Sequence, residues 1–363
     1  MDSTRTVQFV LGNYDTHWRD LERLDESTID RDPGRFVGGR NSWIAQGYLR
    51  LRKALVARGW TVGVGARFVP GTVALVHRDD ANDFAGPRHS SFLVVVRADR
   101  APVAACDLAI AQNRIGLAAH ERFVPLWPQP GLRSRDPARG AAIRRIAYHG
   151  RTGAAPKWFF DAGLRGALER RGIGFHVERE RWEDYREVDV SIAAREETGA
   201  VLATKPATKI YNGWLARVPV LATAEPAYRE IRRSAMDFIE IAAAGDVLRA
   251  IDLLRANPRL FAAMVQNGVR RGEEFSVEAT RRRWLDLMED EVVPAFERAR
   301  SGLASRRFWH WRAMAAQKAL SRAHRVRAAY ERWSDGANIL RARRRREGAS
   351  GERAADHLAD VAR

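Results

Sequence analysis

The stretch Lys205-Pro-Ala-Thr-Lys-Ile-Tyr-Asn-Gly-Trp-Leu-Ala-Arg-Val-Pro-Val220 decides how this chain is read. A helix-like run stops at Val218-Pro219, and an apolar strand begins at Val220-Leu221-Ala222. Helix followed by buried strand is the repeating unit of a parallel α/β sheet. Lys205 and Lys209 stand four residues apart, a spacing that places two side chains on one helix face. Near a helix start, where the backbone dipole favours negative charge, they can hold one anionic group between them. The same lysines would serve as a solvated basic helix end, and the stretch taken alone favours that reading.

Outward from it, the pattern repeats. Residues 143–148, 175–177, 188–192, 218–222 and 238–241 read as strands, and 156–171, 246–256, 258–272 and 276–289 as helices, with Asp246 as an N-cap. Upstream, 7–11, 60–64, 73–76, 92–96 and 107–111 read as strands. A helix over 41–58 has Ile44, Tyr48, Leu51 and Leu55 at helical spacing. A Pro- and Gly-rich segment, 124–140, separates the two series. The expected fold is α/β, with two Rossmann-like domains facing across a cleft: an acceptor domain over 1–135 and a donor domain over 136–298. A basic tail over 299–363, helical or partly disordered, follows.

Composition narrows the partners. The 363 residues carry 62 Lys or Arg against 45 Asp or Glu, a net charge of +17, so an anionic partner is expected. Residues 301–363 hold 15 basic and 6 acidic side chains, which places more than half of the excess in the tail. There Phe308, Trp309 and Trp311 lie among arginines, and Arg341 to Arg346 is the densest basic run. Such a tail suits a helix on an anionic membrane surface, or a solvated basic extension. The single cysteine, Cys106, excludes an internal disulfide framework. No apolar run approaches the ~20 residues of a membrane span. A cytoplasmic location follows as the expectation, with the inner membrane face open to the tail.

Open α/β sheets bind ligands at the carboxyl ends of their strands. His77, Arg97, Asp99, Gly150 and Arg151 all follow predicted strand ends. Gly150 would let the backbone approach a phosphate, with Arg151 and Lys157 flanking the turn and the next helix start. Surface placement of both cations is the competing reading in so basic a chain.

These residues, in this order, resemble the GT-B-fold glycosyltransferases, closest to the large retaining family 4. The resemblance covers roughly residues 5 to 290. It implies that Gly150-Arg151 and Lys157 bind the donor diphosphate, that Gly38-Gly39 form the loop approaching the sugar-nucleotide phosphate, and that His77 contacts the transferred sugar. The family's Glu-x7-Glu motif falls on Thr204 and Asn212, so both acidic positions are replaced, and Asn212 would contact the donor ribose. Lys205 and Lys209 are added, and Arg217 stands where a glycine is usual. The implied reaction moves a hexosyl group from a nucleoside diphosphate sugar to a hydroxyl on a glycan or lipid-linked acceptor, in glycan or glycoconjugate biosynthesis. His77, Asp99 and Asp79 are the candidate bases. Arg151, Lys157, Lys205 and Lys209 would stabilise the departing diphosphate by fixed electrostatics, so neither a metal nor another cofactor is expected. Two other readings use the same residues: a GT-B-fold epimerase or phosphorylase, and a polyanion or nucleic-acid binder, although no specific nucleic-acid motif occurs.

Overall fold

A computed structural model describes residues 5–37, 40–83, 88–197, 199–305, 312–331 and 333. Two sheets form, and every strand pairing in them is parallel. The first contains β1 (Thr6–Val10), β2 (Thr61–Gly65), β3 (Val73–His77), β4 (Phe92–Ala98), β5 (Leu108–Ala111) and β6 (Glu121–Phe123), in the order β2-β1-β3-β4-β5-β6. The second contains β7 (Arg145–His149), β8 (Gly174–Glu178), β9 (Val190–Ala193), β10 (Val220–Ala222) and β11 (Ile239–Glu240), in the order β11-β10-β9-β7-β8. This is the expected architecture of two Rossmann-like units. β3 and β4 are buried along their whole length, as strands covered by helices on both faces must be.

Local chemistry explains where the elements depart from the sequence reading. The helix expected over 156–171 is split. A 3-10 turn, Lys157–Phe160, comes first, and Asp161 then caps Ala162–Glu169 by accepting the Gly163 N–H at 2.6 Å. Asp246 is not the N-cap of its helix: it occupies the third helical position, and its carboxylate accepts the N–H groups of Ala242 and Ala243. Lys205 precedes the Thr208–Leu215 helix instead of sharing a face with Lys209. β6 went unread because two of its three residues are charged; Glu121 is buried there against Arg97 at 3.1 Å. Among the described residues no helix is long and apolar enough to cross a membrane.

The chain crosses between the lobes twice. Arg135 and Arg139, on the first crossing, both bind the fully buried carboxylate of Asp189 at 2.8 Å. The N–H groups of Arg144 and Arg145, at the start of β7, add bonds of 2.8 and 2.9 Å to the same group. On the second crossing, Trp284, Leu285, Met288, Val292 and Phe296 return to the core of the first sheet, beside Phe92, Leu55 and Trp60. Residues 284–296 therefore complete a core that β1 begins.

Two stability predictions follow from these features. Burial alone would raise the Asp189 carboxyl, but Arg139, the two amides and Arg135 hold it below its ordinary range. Its contribution is therefore present above the ordinary carboxylate pKa and is lost as pH falls through the lower folded value. Asp189→Asn should cost about 3 kcal/mol in urea unfolding at neutral pH, and should flatten that part of the acid limb. Arg217 has a left-handed backbone, φ 61°, where a side chain is strained. Arg217→Gly should raise unfolding free energy by about 1 kcal/mol.

Candidate active site at the cleft

The carboxyl ends of both sheets open on one cavity of about 480 Å³, within the range typical of small-molecule sites. His77 ends β3, and Asp99 directly follows β4. At Ala98 the strand register shifts and φ is 55°, an irregularity that re-aims the chain as Asp99 enters the cavity wall. From the second sheet, His149 ends β7 with Gly150 and Arg151 next, and Arg195 lies two residues past β9. Lys205, Lys209 and Asn212 come from the start of the Thr208–Leu215 helix and the loop before it.

Seven residues named from the sequence line the cavity: His77, Asp99, Gly150, Arg151, Lys205, Lys209 and Asn212. Lys157 is not among them. Its side chain is 91% exposed and reaches Glu196 at 3.4 Å, because the 3-10 turn points it outward. Gly38 and Gly39 lie outside the described residues, as do Phe308, Trp309, Trp311 and the run from Arg341 to Arg346. Thr204 is placed by its hydroxyl, which donates to the Asp99 and Val201 carbonyls.

The charges have distinct settings. Lys205 Nζ reaches Asp99 Oδ2 at 2.9 Å, an ion pair between the two lobes. Burial works to raise the Asp99 carboxyl, yet Lys205 holds it below its usual range. Lys209 donates to the His149 carbonyl and lies 4.2 Å from the centre of the Tyr148 ring. Burial, with Arg195 adding repulsion, lowers its ammonium to about 7. Gly150 makes this approach possible: its φ is 153°, and a Cβ there would stand 2.7 Å from Lys209 Nζ. Arg195 is held by Glu225 and by the Tyr228 hydroxyl, the latter at 2.8 Å. Arg151 is exposed at the mouth, and its side chain has no hydrogen-bond or ion-pair partner among the described residues. In all, Arg100, Arg151, Arg195, Lys205 and Lys209 face one lining carboxylate, Asp99. Such a wall favours an anion.

Neutral groups complete the site. Gln46 Oε1, Gln129 Nε2, His149 Nδ1 and Trp182 Nε1 are buried without a partner, and all four residues line the cavity. Burial lowers the His149 imidazole to about 4, so the ring is neutral near pH 7. Its Nε2 lies 3.2 Å from the Asp184 carbonyl, which can only accept. Nε2 therefore carries the proton, and Nδ1 presents a bare lone pair. Unsatisfied groups of this kind cost free energy until a ligand meets them. None of the four was read from the sequence, where single Gln, His and Trp residues carry no spacing signal. Arg195 had one usable mark, its place just beyond a strand end. Asn212 is buried, and its Oδ1 accepts the Gln129 N–H at 3.1 Å, fastening the first crossing to the second lobe.

The setting of Lys209 gives a pH prediction. With its pKa lowered to about 7, the cation is lost as pH rises above that value, and an anion must restore the proton on binding. The affinity for pyrophosphate should weaken by up to tenfold per pH unit above about 7 relative to Lys209→Met, which should lack that component. Calorimetry across pH on both proteins measures the difference.

No family model and no curated protein matches the chain. Solved structures do show likeness in overall fold. HepE from Anabaena, in complex with UDP and glucose, is 11% identical with a TM-score of 0.44, over 78% of this chain and 99% of that one. Sucrose-phosphate synthase from Thermosynechococcus elongatus is 13% identical with a TM-score of 0.46, over 78% and 98%. AviGT4, a glycosyltransferase involved in avilamycin A biosynthesis, is 15% identical with a TM-score of 0.46, over 73% and 91%. At this level the likeness extends to fold alone: the chain is similar in structure to GT-B glycosyltransferases.

Proposed function

We propose that the chain transfers a sugar from a nucleoside diphosphate sugar to a hydroxyl acceptor in the cleft. The observation that carries this reading is the combination in one cavity of five cations with four unpartnered neutral polar groups. The cations suit a diphosphate; the neutral donors and acceptors suit hydroxyls and a base. Departure of the diphosphate places negative charge where Arg151, Lys205, Lys209 and Arg195 already stand, so fixed electrostatics stabilise the leaving group. Lys157 lies outside this set, paired with Glu196.

On the other wall, His77 Nδ1 accepts the Asp79 N–H at 3.2 Å. A neutral His77 therefore carries its proton on Nε2. Asp99 begins bound to Lys205. A diphosphate that takes Lys205 for itself releases the Asp99 carboxylate, which is then the base for the acceptor hydroxyl. Asn212, already bonded to Gln129 through its oxygen, offers its amide N–H groups to the ribose.

Donor affinity separates these roles. Arg151→Ala should weaken UDP and GDP binding at least tenfold in calorimetry, through loss of a charge-assisted contact. Lys157→Ala should stay within about twofold. Incubation with a nucleotide sugar alone should give no epimer, and transfer should require an added hydroxyl acceptor. Epimer formation without acceptor would replace this reading by that of an epimerase.

A further inference from the structure

The helix over 312–331 runs across the outside of the molecule from one lobe to the other. Its inner seam, Gln317, Ser321, His324, Ala328 and Glu331, recurs at intervals of four and three residues. The seam is largely polar. Gln317 accepts the Ala104 N–H at 2.5 Å and donates to the Pro102 carbonyl at 3.0 Å. Arg78 donates to the Ser321 hydroxyl at 2.8 Å. In the other lobe, Glu331 accepts the Ala200 N–H at 2.7 Å. Pro102 and Ala104 closely follow Asp99, and Ala200 closely precedes Lys205. The helix thus rests on the two loops that carry the ion pair across the cleft.

Its outer face is different. Val326, Tyr330 and Trp333, four and three residues apart, are 60%, 65% and 68% exposed. The Tyr330 and Trp333 rings lie 6.0 Å apart. Lys318, Arg322 and Arg325 are exposed along one flank. Over 312–331 and 333, five side chains are Lys or Arg and one, Glu331, is acidic. Three large apolar groups left on the crest of a basic helix are costly in water and match an interface that is apolar inside and anionic outside.

We propose that this outer face docks on an anionic lipid bilayer. Val326, Tyr330 and Trp333 enter the boundary between headgroups and acyl chains, while Lys318, Arg322 and Arg325 meet lipid phosphates. The inference goes beyond the proposed transfer reaction and does not rest on it. A nucleic acid would take up the basic flank but leave the Val326 crest in water, which favours the bilayer. Docking would hold the rim of the cleft beside the membrane, within reach of an acceptor whose hydroxyl emerges from the headgroup layer.

Flotation of the full chain with vesicles tests this. Vesicles of equal phosphatidylcholine and phosphatidylglycerol should carry the protein, and phosphatidylcholine alone should not. Arg322→Glu with Arg325→Glu should weaken partitioning at least about 30-fold, and Tyr330→Ser with Trp333→Ser should also release the protein. Both pairs are exposed and outside the cavity, so the unfolding midpoint and pyrophosphate affinity should remain those of wild type. Both variants keep residues 334–363, so flotation equal to wild type would assign binding elsewhere and overturn the proposal. It is overturned too if wild type fails to float on the mixed vesicles. The same holds if duplex DNA competes the protein off them at equal charge, or if the Tyr330/Trp333 variant turns a dimer into a monomer by light scattering.

Discussion

A carboxylate with no solvent exposure, Asp189, fixes the second lobe to the chain that enters it. It accepts six hydrogen bonds: two from Arg135, two from Arg139 and one each from the amides of Arg144 and Arg145. A buried charge this fully bonded resists displacement, because losing any donor leaves the charge undercompensated. The amides belong to the start of β7, and the far end of that five-residue strand carries His149, Gly150 and Arg151. The position of the arginine at the cavity mouth is therefore set about 16 Å away, by the length of one extended strand.

Within the cavity, the arrangement is one of held repulsion. Arg195 and Lys209 are both buried in the same wall, and Glu225 is the carboxylate among the described residues that compensates them. Two like charges near each other in a partly dehydrated site cost several kcal/mol. The protein lessens this cost by lowering the ammonium pKa, and a bound anion would remove it. Lys205 is handled differently, by a carboxylate from the opposite lobe. Arg151 is left exposed. Four cations under three different restraints line the same space, a setting that favours a multiply charged anion.

The fold was legible in the sequence because its strands are short apolar runs bounded by Gly, Pro and charged residues. Burial on both faces leaves such strands little choice of residue. β6 escaped because its pairing is satisfied by a buried ion pair instead of apolar side chains. Part of the cationic half was legible: Arg151 follows a strand end, and strand ends face the cleft, while Lys205 and Lys209 stand out at a helix start; Arg100 and Arg195 carried no mark strong enough to be read. Lys157 shows where this reasoning fails, since one 3-10 turn reverses the direction of a side chain without changing the sequence order. The neutral half was illegible. Gln46, Gln129, His149 and Trp182 come from four separate elements and acquire meaning only when the fold leaves one atom of each unbonded. Arg217 is a middle case: its left-handed backbone is visible in the structure, while the sequence shows only a departure from a resemblance.

The return of residues 284–296 to the first core bears on how the chain is made. Phe296 packs on Phe92, with ring centres 5.7 Å apart, and Trp284, Leu285 and Met288 fill the same cluster. During synthesis the first sheet leaves the ribosome long before these residues exist, so its apolar face is incomplete while the entire second lobe is being produced. Domains made early usually fold early; this one must wait, exposed, for nearly two hundred further residues of translation, as the distance from Phe92 to Trp284 shows. The last packing step of the first lobe thus waits for the segment that follows the second.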